Sequence, residues 1–401
     1  MTELTDFISL MNEHSRLRRT SINLIASENH TSPLVRAALS SDLGHRYSAD
    51  FYGGTKFIQQ VIQKAETYLR ELFNVDYSIV TSLSGHLCDI AVILGFTKPN
   101  DKVMSVAPGN AGGYPFDFTF FNRKQIPFSF SMEKMNILVE ESIKKIKKQN
   151  PKLVLFGSSF FPFAHPVKEL IDSLDQQKKI EFAYDGSHVL GLIAGKQFQD
   201  PLKEGADILL GSTHKSFPGP QGGILLTNNF EKYELLSSIL ELDLEKGIRL
   251  IDNPHPNRIA ALALATLELI EFGEEYAKQI VRNSKALAKT LDKWGVPVCF
   301  KEHGFTESHQ VIIETENYEE GAVFKEKAEK HGLIIDSGGR IGTSEITRMG
   351  MKELEIKEIG EMLAGIYRNE DTSDYPRRIK DLITLFNRPA YCFERIEEIN
   401  W

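Results

Sequence analysis

Cysteine is scarce in this sequence. Only Cys88, Cys299 and Cys392 occur in 401 residues, too widely scattered for a disulfide framework or a zinc site. A reducing cytosol suits such a chain, and a cytoplasmic location is expected. No apolar run reaches the roughly 18 residues that a membrane span needs, so no membrane partner is expected. The opening Met1–Asp6 is polar and acidic, without the basic-then-apolar layout of a secretory signal. Basic residues are outnumbered too: 47 Lys and Arg against 55 Asp and Glu give a net charge of −8, which argues against nucleic acid as a partner. What is present is apolar material. At 41% hydrophobic residues the chain can fill one large core and a smaller one, so two domains are expected.

The most informative stretch is Gly211-Ser-Thr-His-Lys-Ser-Phe-Pro-Gly-Pro-Gln-Gly-Gly223, bounded by the apolar runs Ala206–Leu210 and Ile224–Thr227. This reads as strand, loop, strand, with Lys215 just beyond the first strand. Open α/β sheets place their ligands there, outside the carboxyl ends of the strands. Glycines and prolines fix the loop path and let a flat ligand approach the backbone. A lysine in that position can form a Schiff base with an aldehyde, and pyridoxal phosphate is the common biological choice. Taken alone, the stretch suits a surface lysine in a Gly/Pro turn equally well.

Two other strand ends strengthen the chemical reading. Strand Ile180–Tyr184 runs into Asp185-Gly-Ser-His188, where Asp185 is placed to pair with a pyridinium nitrogen and His188 to pack near the same ring. The bland alternatives are a turn-forming Asp and a satisfied core His. Strand Tyr77–Thr81 leads through Ser82-Leu-Ser-Gly-His86 into a helix carrying Leu87, Ile90, Ala91 and Leu94 at helical spacing. Free N–H groups at such a helix start bind anions, making Ser84, Gly85 and His86 phosphate candidates; simple N-capping by Ser84 accounts for the pattern equally well.

Alternation of strands (Asp101–Val106, Lys152–Phe156, Ile180–Tyr184) with helices predicts an α/β fold with a mostly parallel sheet covered on both faces. Residues 1–30 read as an N-terminal arm and 31–257 as a large domain. Residues 258–401 read as a bridging helix, in one or two pieces, plus a smaller α+β domain. In the last of these, Gly338–Arg348 is again glycine-rich, and Arg348 is suited to gripping a substrate carboxylate or to a plain helix-end role.

Together, Ser212-Thr-His-Lys215, Asp185-Gly-Ser-His188 and Thr347-Arg348 resemble serine hydroxymethyltransferase. Leu24-Ile-Ala-Ser-Glu-Asn29, Tyr52-Gly-Gly54, Glu71-Leu-Phe73 and Gly219-Pro-Gln-Gly-Gly223 add to the likeness, which extends from Asn23 to about Met349. The resemblance implies a pyridoxal 5'-phosphate enzyme of fold type I, with a seven-stranded-type sheet and a small C-terminal domain. It implies that Lys215 carries the Schiff base, with His214 and Thr213 beside it, that Asp185 pairs with the ring nitrogen, and that His188 supports the phenolic oxygen side. By the same likeness Ser84, Gly85 and His86 bind phosphate, Ser159 lies near the cofactor, and Ser27 and Arg348 hold the substrate carboxylate. Tyr52 matches a tyrosine lent by the neighbouring subunit, implying a homodimer with shared active sites.

The chain also departs from the family pattern. His86 stands where a serine is usual, and Tyr114 stands where a histidine stacks on the ring. The segment Arg46–Tyr52 is shortened and has lost a glutamate that serves the folate-dependent reaction; Asp50 is the nearest replacement. Gly109 and Pro115 replace apolar residues used beside folate, and Asp252–Arg258 stands in place of a glycine-rich phosphate loop. Tetrahydrofolate is therefore in doubt as a cosubstrate. The expected reaction is aldol or retro-aldol chemistry at Cα–Cβ of a β-hydroxy-α-amino acid, with glycine as the carbanion product and an aldehyde as partner. Two alternatives stand beside it: an ordinary folate-dependent serine hydroxymethyltransferase, and a retired cofactor-binding paralogue.

Overall fold

The structure is a computed structural model that describes residues 2–174, 180–241, 247–315 and 317–394. The chain forms two compact units. One comprises Thr31–Lys278 and the described residues 391–394; the other comprises residues 2–30 and Gln279–Ala390.

In the first unit seven strands form one sheet: β1 (Tyr77–Ile79), β2 (Lys102–Ser105), β3 (Lys124–Pro127), β4 (Leu153–Phe156), β5 (Glu181–Asp185), β6 (Ile208–Ser212) and β7 (Gly223–Thr227), in the order β1-β7-β6-β5-β4-β2-β3. All neighbours run parallel except β7, which is antiparallel to both β1 and β6. Strands β4, β6 and β7 are buried along their whole length, which is why they read as unbroken apolar runs rather than alternating ones. Strand β3, Lys-Gln-Ile-Pro, lies at the sheet edge. Its polar composition and terminal proline suit an edge position and conceal it from a hydrophobic-pattern reading.

Helix α1 (Gly85–Phe96) follows β1 and buries Ile90, Ala91, Val92 and Ile93. These pack with Val103, Leu155, Ala183, Leu210 and Leu225 from the sheet in one core cluster. Helix α2 (Pro256–Lys293) is continuous. Proline at its start is compatible with the first helical turn, and no breaker follows, so one piece forms rather than two. Whereas a boundary is expected at 257/258, the units part inside α2, after Lys278.

In the second unit the arm is not a separate domain. Its Ile22–Asn23 pairs in parallel with Leu333–Ile334, and Ile22 and Leu24 join a core with Leu287, Leu291, Val311, Leu333, Ile346 and Leu363. Gln310–Ile312 pairs antiparallel with Arg340–Gly342, and Val298 bridges Ile313. Helices Tyr318–Lys330, Glu353–Tyr367 and Tyr375–Leu385 complete this α+β unit. The leading helix Thr2–Arg19 buries none of its own residues, leaving Leu4, Phe7 and Leu10 exposed.

Candidate active site

Lys215 stands on the loop joining β6 to β7. Because those strands are antiparallel neighbours, with Ser212 opposite Gly223, the loop is a closed hairpin connection rather than a crossover. Its path is fixed from inside: Thr213 N–H donates to Gly222 O (3.1 Å), Gly219 N–H to Thr213 O (2.9 Å), and Thr213 Oγ1 to Pro220 O (2.7 Å). Ser216 Oγ accepts from Gly191 N–H (3.0 Å), tying the loop to the helix beyond β5. Thr213 and Ser216 are fully buried, and Lys215 is half-buried. Beside it, His214 has its pKa pushed down to about 4 by burial and by the charge of Lys215. Its ring is therefore neutral at physiological pH, and its buried Nδ1 has no hydrogen-bond partner among the described residues.

Asp185 ends β5, where Ser187 N–H donates to its Oδ1 (2.9 Å) and closes a turn. Ser187 Oγ in turn accepts from Ser212 N–H (3.0 Å), stitching this turn to β6. His188 is buried one residue further on. The aspartate and lysine loops are thus carried by adjacent parallel strands and cross-linked through Ser187.

Ser84 caps α1. Its Oγ accepts from Leu87 N–H (3.1 Å) and its backbone is extended, φ −160° and ψ 160°. The capping expectation is realised, and the hydroxyl proton stays available to an anion at the helix start. The cap is pressed against the lysine hairpin. A Cβ on Gly85 would lie 2.3 Å from Ser212 Oγ, closer than atoms tolerate, so glycine is required there. His86 is exposed beside the cap, and its Nδ1 lies 3.2 Å from the Tyr114 hydroxyl. The Tyr114 pKa is raised by burial first, and Asp89 and Asp185 lie near its phenol. Ser159 follows β4, and its N–H donates to Gly112 O (2.7 Å), joining its loop to the one that bears Tyr114.

Tyr52 and Asp50 lie on a separate loop. Tyr52 is exposed and packs on Tyr47 (ring centroids 5.0 Å apart) and Phe51 (5.2 Å). Asp50 lines a cavity of about 670 Å³ with Glu66, Thr81 and Glu241. Within the second unit, Arg348 is wholly buried at the end of helix Ser344–Arg348. The turn bearing half-buried Ser27 is seated on the segment leading to it. Gly342 N–H donates to Leu24 O (2.7 Å), His309 Nε2 to Ala26 O (3.0 Å), and Asn23 Nδ2 to Glu345 Oε2 (2.6 Å). Asn283 Nδ2 holds Thr347 Oγ1 at 2.8 Å.

One residue of this site escaped the sequence reading. Asp89, on α1, is 3% exposed and lines a small cavity with Asp185 and Tyr114. The available signal was a single carboxylate inside the otherwise apolar Leu87-Cys-Asp-Ile-Ala-Val-Ile-Leu94. Among the described residues no group of three or more His, Cys, Asp or Glu side chains is arranged to hold a metal, and no helix is long and apolar enough to cross a membrane.

The family model for serine hydroxymethyltransferase matches residues 2–363. The serine hydroxymethyltransferase of Methanobrevibacter smithii is 39% identical, covering 98% of this chain and 97% of the relative. That of Korarchaeum cryptofilum is 38% identical, covering 95% of each. Among solved structures, an L-threonine transaldolase from Pseudomonas fluorescens superposes with a TM-score of 0.88 over 98% of this chain and 94% of that one, at 24% identity, a likeness of fold. With the family model spanning most of its length and two relatives matching nearly end to end, this chain belongs to the serine hydroxymethyltransferase family.

Proposed function

We propose that this chain is a pyridoxal-phosphate-dependent aldolase or transaldolase that breaks or exchanges the Cα–Cβ bond of a β-hydroxy-α-amino acid, releasing or consuming glycine and an aldehyde. The observation that carries this reading is the convergence of Lys215, Asp185 and the Ser84 helix cap on neighbouring strand ends, cross-linked through Ser187 and Ser212. The residues fit the cofactor. The α1 N-terminus offers amide N–H groups and the Ser84 hydroxyl to a phosphate, Lys215 offers an amine to an aldehyde, and Asp185 offers a carboxylate to a ring nitrogen. When bound, pyridoxal phosphate supplies a protonated ring that withdraws electrons from Cα.

The protein's own part is positioning. Tyr114 provides an aromatic face for a ring, and Arg348 with Ser27 provides a carboxylate grip, so that Cα–Cβ is the bond held for cleavage. His214 is held neutral beside Lys215 and so adds no second positive charge next to the amine. The shortened Arg46–Tyr52 segment, with Asp50 but no glutamate, supports an acceptor other than tetrahydrofolate. The exposed Leu4, Phe7 and Leu10 of the leading helix support a homodimer. A second reading, folate-dependent serine hydroxymethyltransferase, is favoured by the names of the archaeal relatives.

Absorption spectra of the reconstituted protein with glycine, with and without tetrahydrofolate, separate the two. A long-wavelength band indifferent to folate is expected. A band that folate intensifies would select the second reading, and no spectral response to any amino acid would refute both. Borohydride reduction with the cofactor should label Lys215, and Lys215→Ala should abolish the label; a label elsewhere overturns the assignment.

A further inference from the structure

Helix α1 carries one carboxylate among apolar neighbours. Asp89 is 3% exposed, and Cys88 and Ile90 on either side of it are buried as well. Its Oδ1 has no hydrogen-bond partner among the described residues. Next to it lies a cavity of about 20 Å³, shared with Asp185, Tyr114, Ser105 and Gly157. A space of that size accommodates about one water. Two carboxylates therefore line one small void whose remaining wall is largely apolar, built from Val106, Phe116, Phe118, Leu155 and Phe156.

The groups that act on Asp89 come from every neighbouring element. They are Asp185 at the tip of β5, Lys215 from the β6–β7 loop, Tyr114 from the loop after β2, and Cys88 on its own helix. Burial, and then the charge of Asp185, push the Asp89 carboxyl well above the usual range, while Lys215 opposes this. Like charges sharing a desolvated site do not both persist; one carboxyl keeps its proton. Asp185 already accepts a backbone hydrogen bond from Ser187 N–H, whereas Asp89 Oδ1 has no partner among the described residues. The proton therefore belongs on Asp89.

We infer that Asp89 is a neutral carboxylic acid that donates a hydrogen bond to a water in this cavity and through it to Asp185, making it a positioning residue that holds Asp185 in line with the cofactor's ring nitrogen. The inference deepens the reading given under Proposed function and rests on it. In chemical terms Asp89 acts through Asp185 and contacts no reacting atom. An amide at the same position also donates, whereas a methyl group does not.

The test compares Asp89→Asn and Asp89→Ala with wild type. Pyridoxal phosphate affinity, followed by absorbance titration of the apoprotein, should be retained in D89N and weakened about tenfold or more in D89A. D89N weakening as much as D89A would overturn the inference. Two further readouts need no cofactor. An acid buried in neutral form binds a proton that the unfolded chain has lost above about pH 4, so its burial costs stability as pH rises. The D89N apoprotein should therefore melt on the order of 2 °C above wild type at pH 8, with the gap closing near pH 4; a gap independent of pH sinks the neutral assignment. The infrared carbonyl band of a protonated carboxyl should be present in wild type and missing from D89N, and its absence in wild type would do the same. If wild type binds no pyridoxal phosphate at all, the proposed function fails, and the melting and infrared results still decide the protonation state of Asp89.

Discussion

Gly223 and Ser84 are in direct backbone contact: a Cβ built on Gly223 would stand 2.4 Å from the Ser84 carbonyl oxygen and 2.6 Å from Cys88 Sγ. The first residue of β7 thus supports the cap of α1, and the lysine hairpin and the candidate phosphate cradle share one surface. Gly223→Ala should destabilise the protein by about 1–3 kcal/mol, the usual cost of overpacking, and should weaken pyridoxal phosphate binding as well. Thermal melts with a cofactor titration check this, and an unchanged affinity would mean that the two loops are not coupled.

Arg348 is proposed to hold the substrate carboxylate. Arg348→Lys keeps the charge but loses the two-pronged geometry. The amino-acid dissociation constant should rise about 10- to 100-fold, the loss of one charge-assisted hydrogen bond, while affinity for pyridoxal phosphate stays as in wild type. Equal loss of both would assign Arg348 to the fold of its unit instead.

Glu66 lines the cavity beside Asp50, and its pKa is pushed up to about 7 by burial and then by the charge of Glu241. In the unfolded chain a glutamate titrates near 4.3. Between these values the folded protein holds a proton that the unfolded chain has released, so stability falls as pH rises from about 4.3 to about 7 and is level above. Glu66→Gln should stabilise by about 1–3 kcal/mol at pH 8 and have no effect at pH 4. Denaturant melts at the two pH values decide it.

His165 behaves in the opposite sense. It is 3% exposed, stacks on Phe161 at 4.4 Å, accepts at Nδ1 from Gly157 N–H (3.3 Å), and has its pKa pushed down to about 3 by burial. The unfolded chain takes up a proton near pH 6.5 that the folded ring refuses. Stability contributed by this site is thus complete above 6.5 and declines as pH falls toward 3. An NMR titration should find the ring neutral down to about pH 4; protonation near pH 6 would show that it is not desolvated.

How much of this was legible in the sequence follows from how each residue is presented. Lys215 follows an apolar strand buried along its whole length, which makes it conspicuous, whereas the strands leading to Asp185 and Ser84 are buried only in part and are read from the small polar residues that end them. Strand β3 was hidden because an edge strand is built from lysine, glutamine and proline, the residues that also make loops. The sequence leaves the continuity of α2 open because Gly273 weakens a helix pattern without breaking it. Asp89 was overlooked because helical periodicity reports only where apolar residues recur, whereas its meaning depends on a second carboxylate 96 positions later in the chain, at Asp185. Tyr52 and Asp50 were readable as a loop, and a role lent to a neighbouring molecule, as proposed for Tyr52, is one that no intrachain pattern describes.

The placement of β7 between β1 and β6 bears on biosynthesis. Strand β1 has β7 as its sheet neighbour, and their register joins Tyr77 to Thr227. A nascent chain halted before that threonine leaves the ribosome already carrying Ser84, Asp185 and Lys215, but the edge strand that leads to Ser84 has nothing to pair with. Completion of the strand that leads to the candidate phosphate cradle thereby waits on residues made after both the aspartate and the lysine.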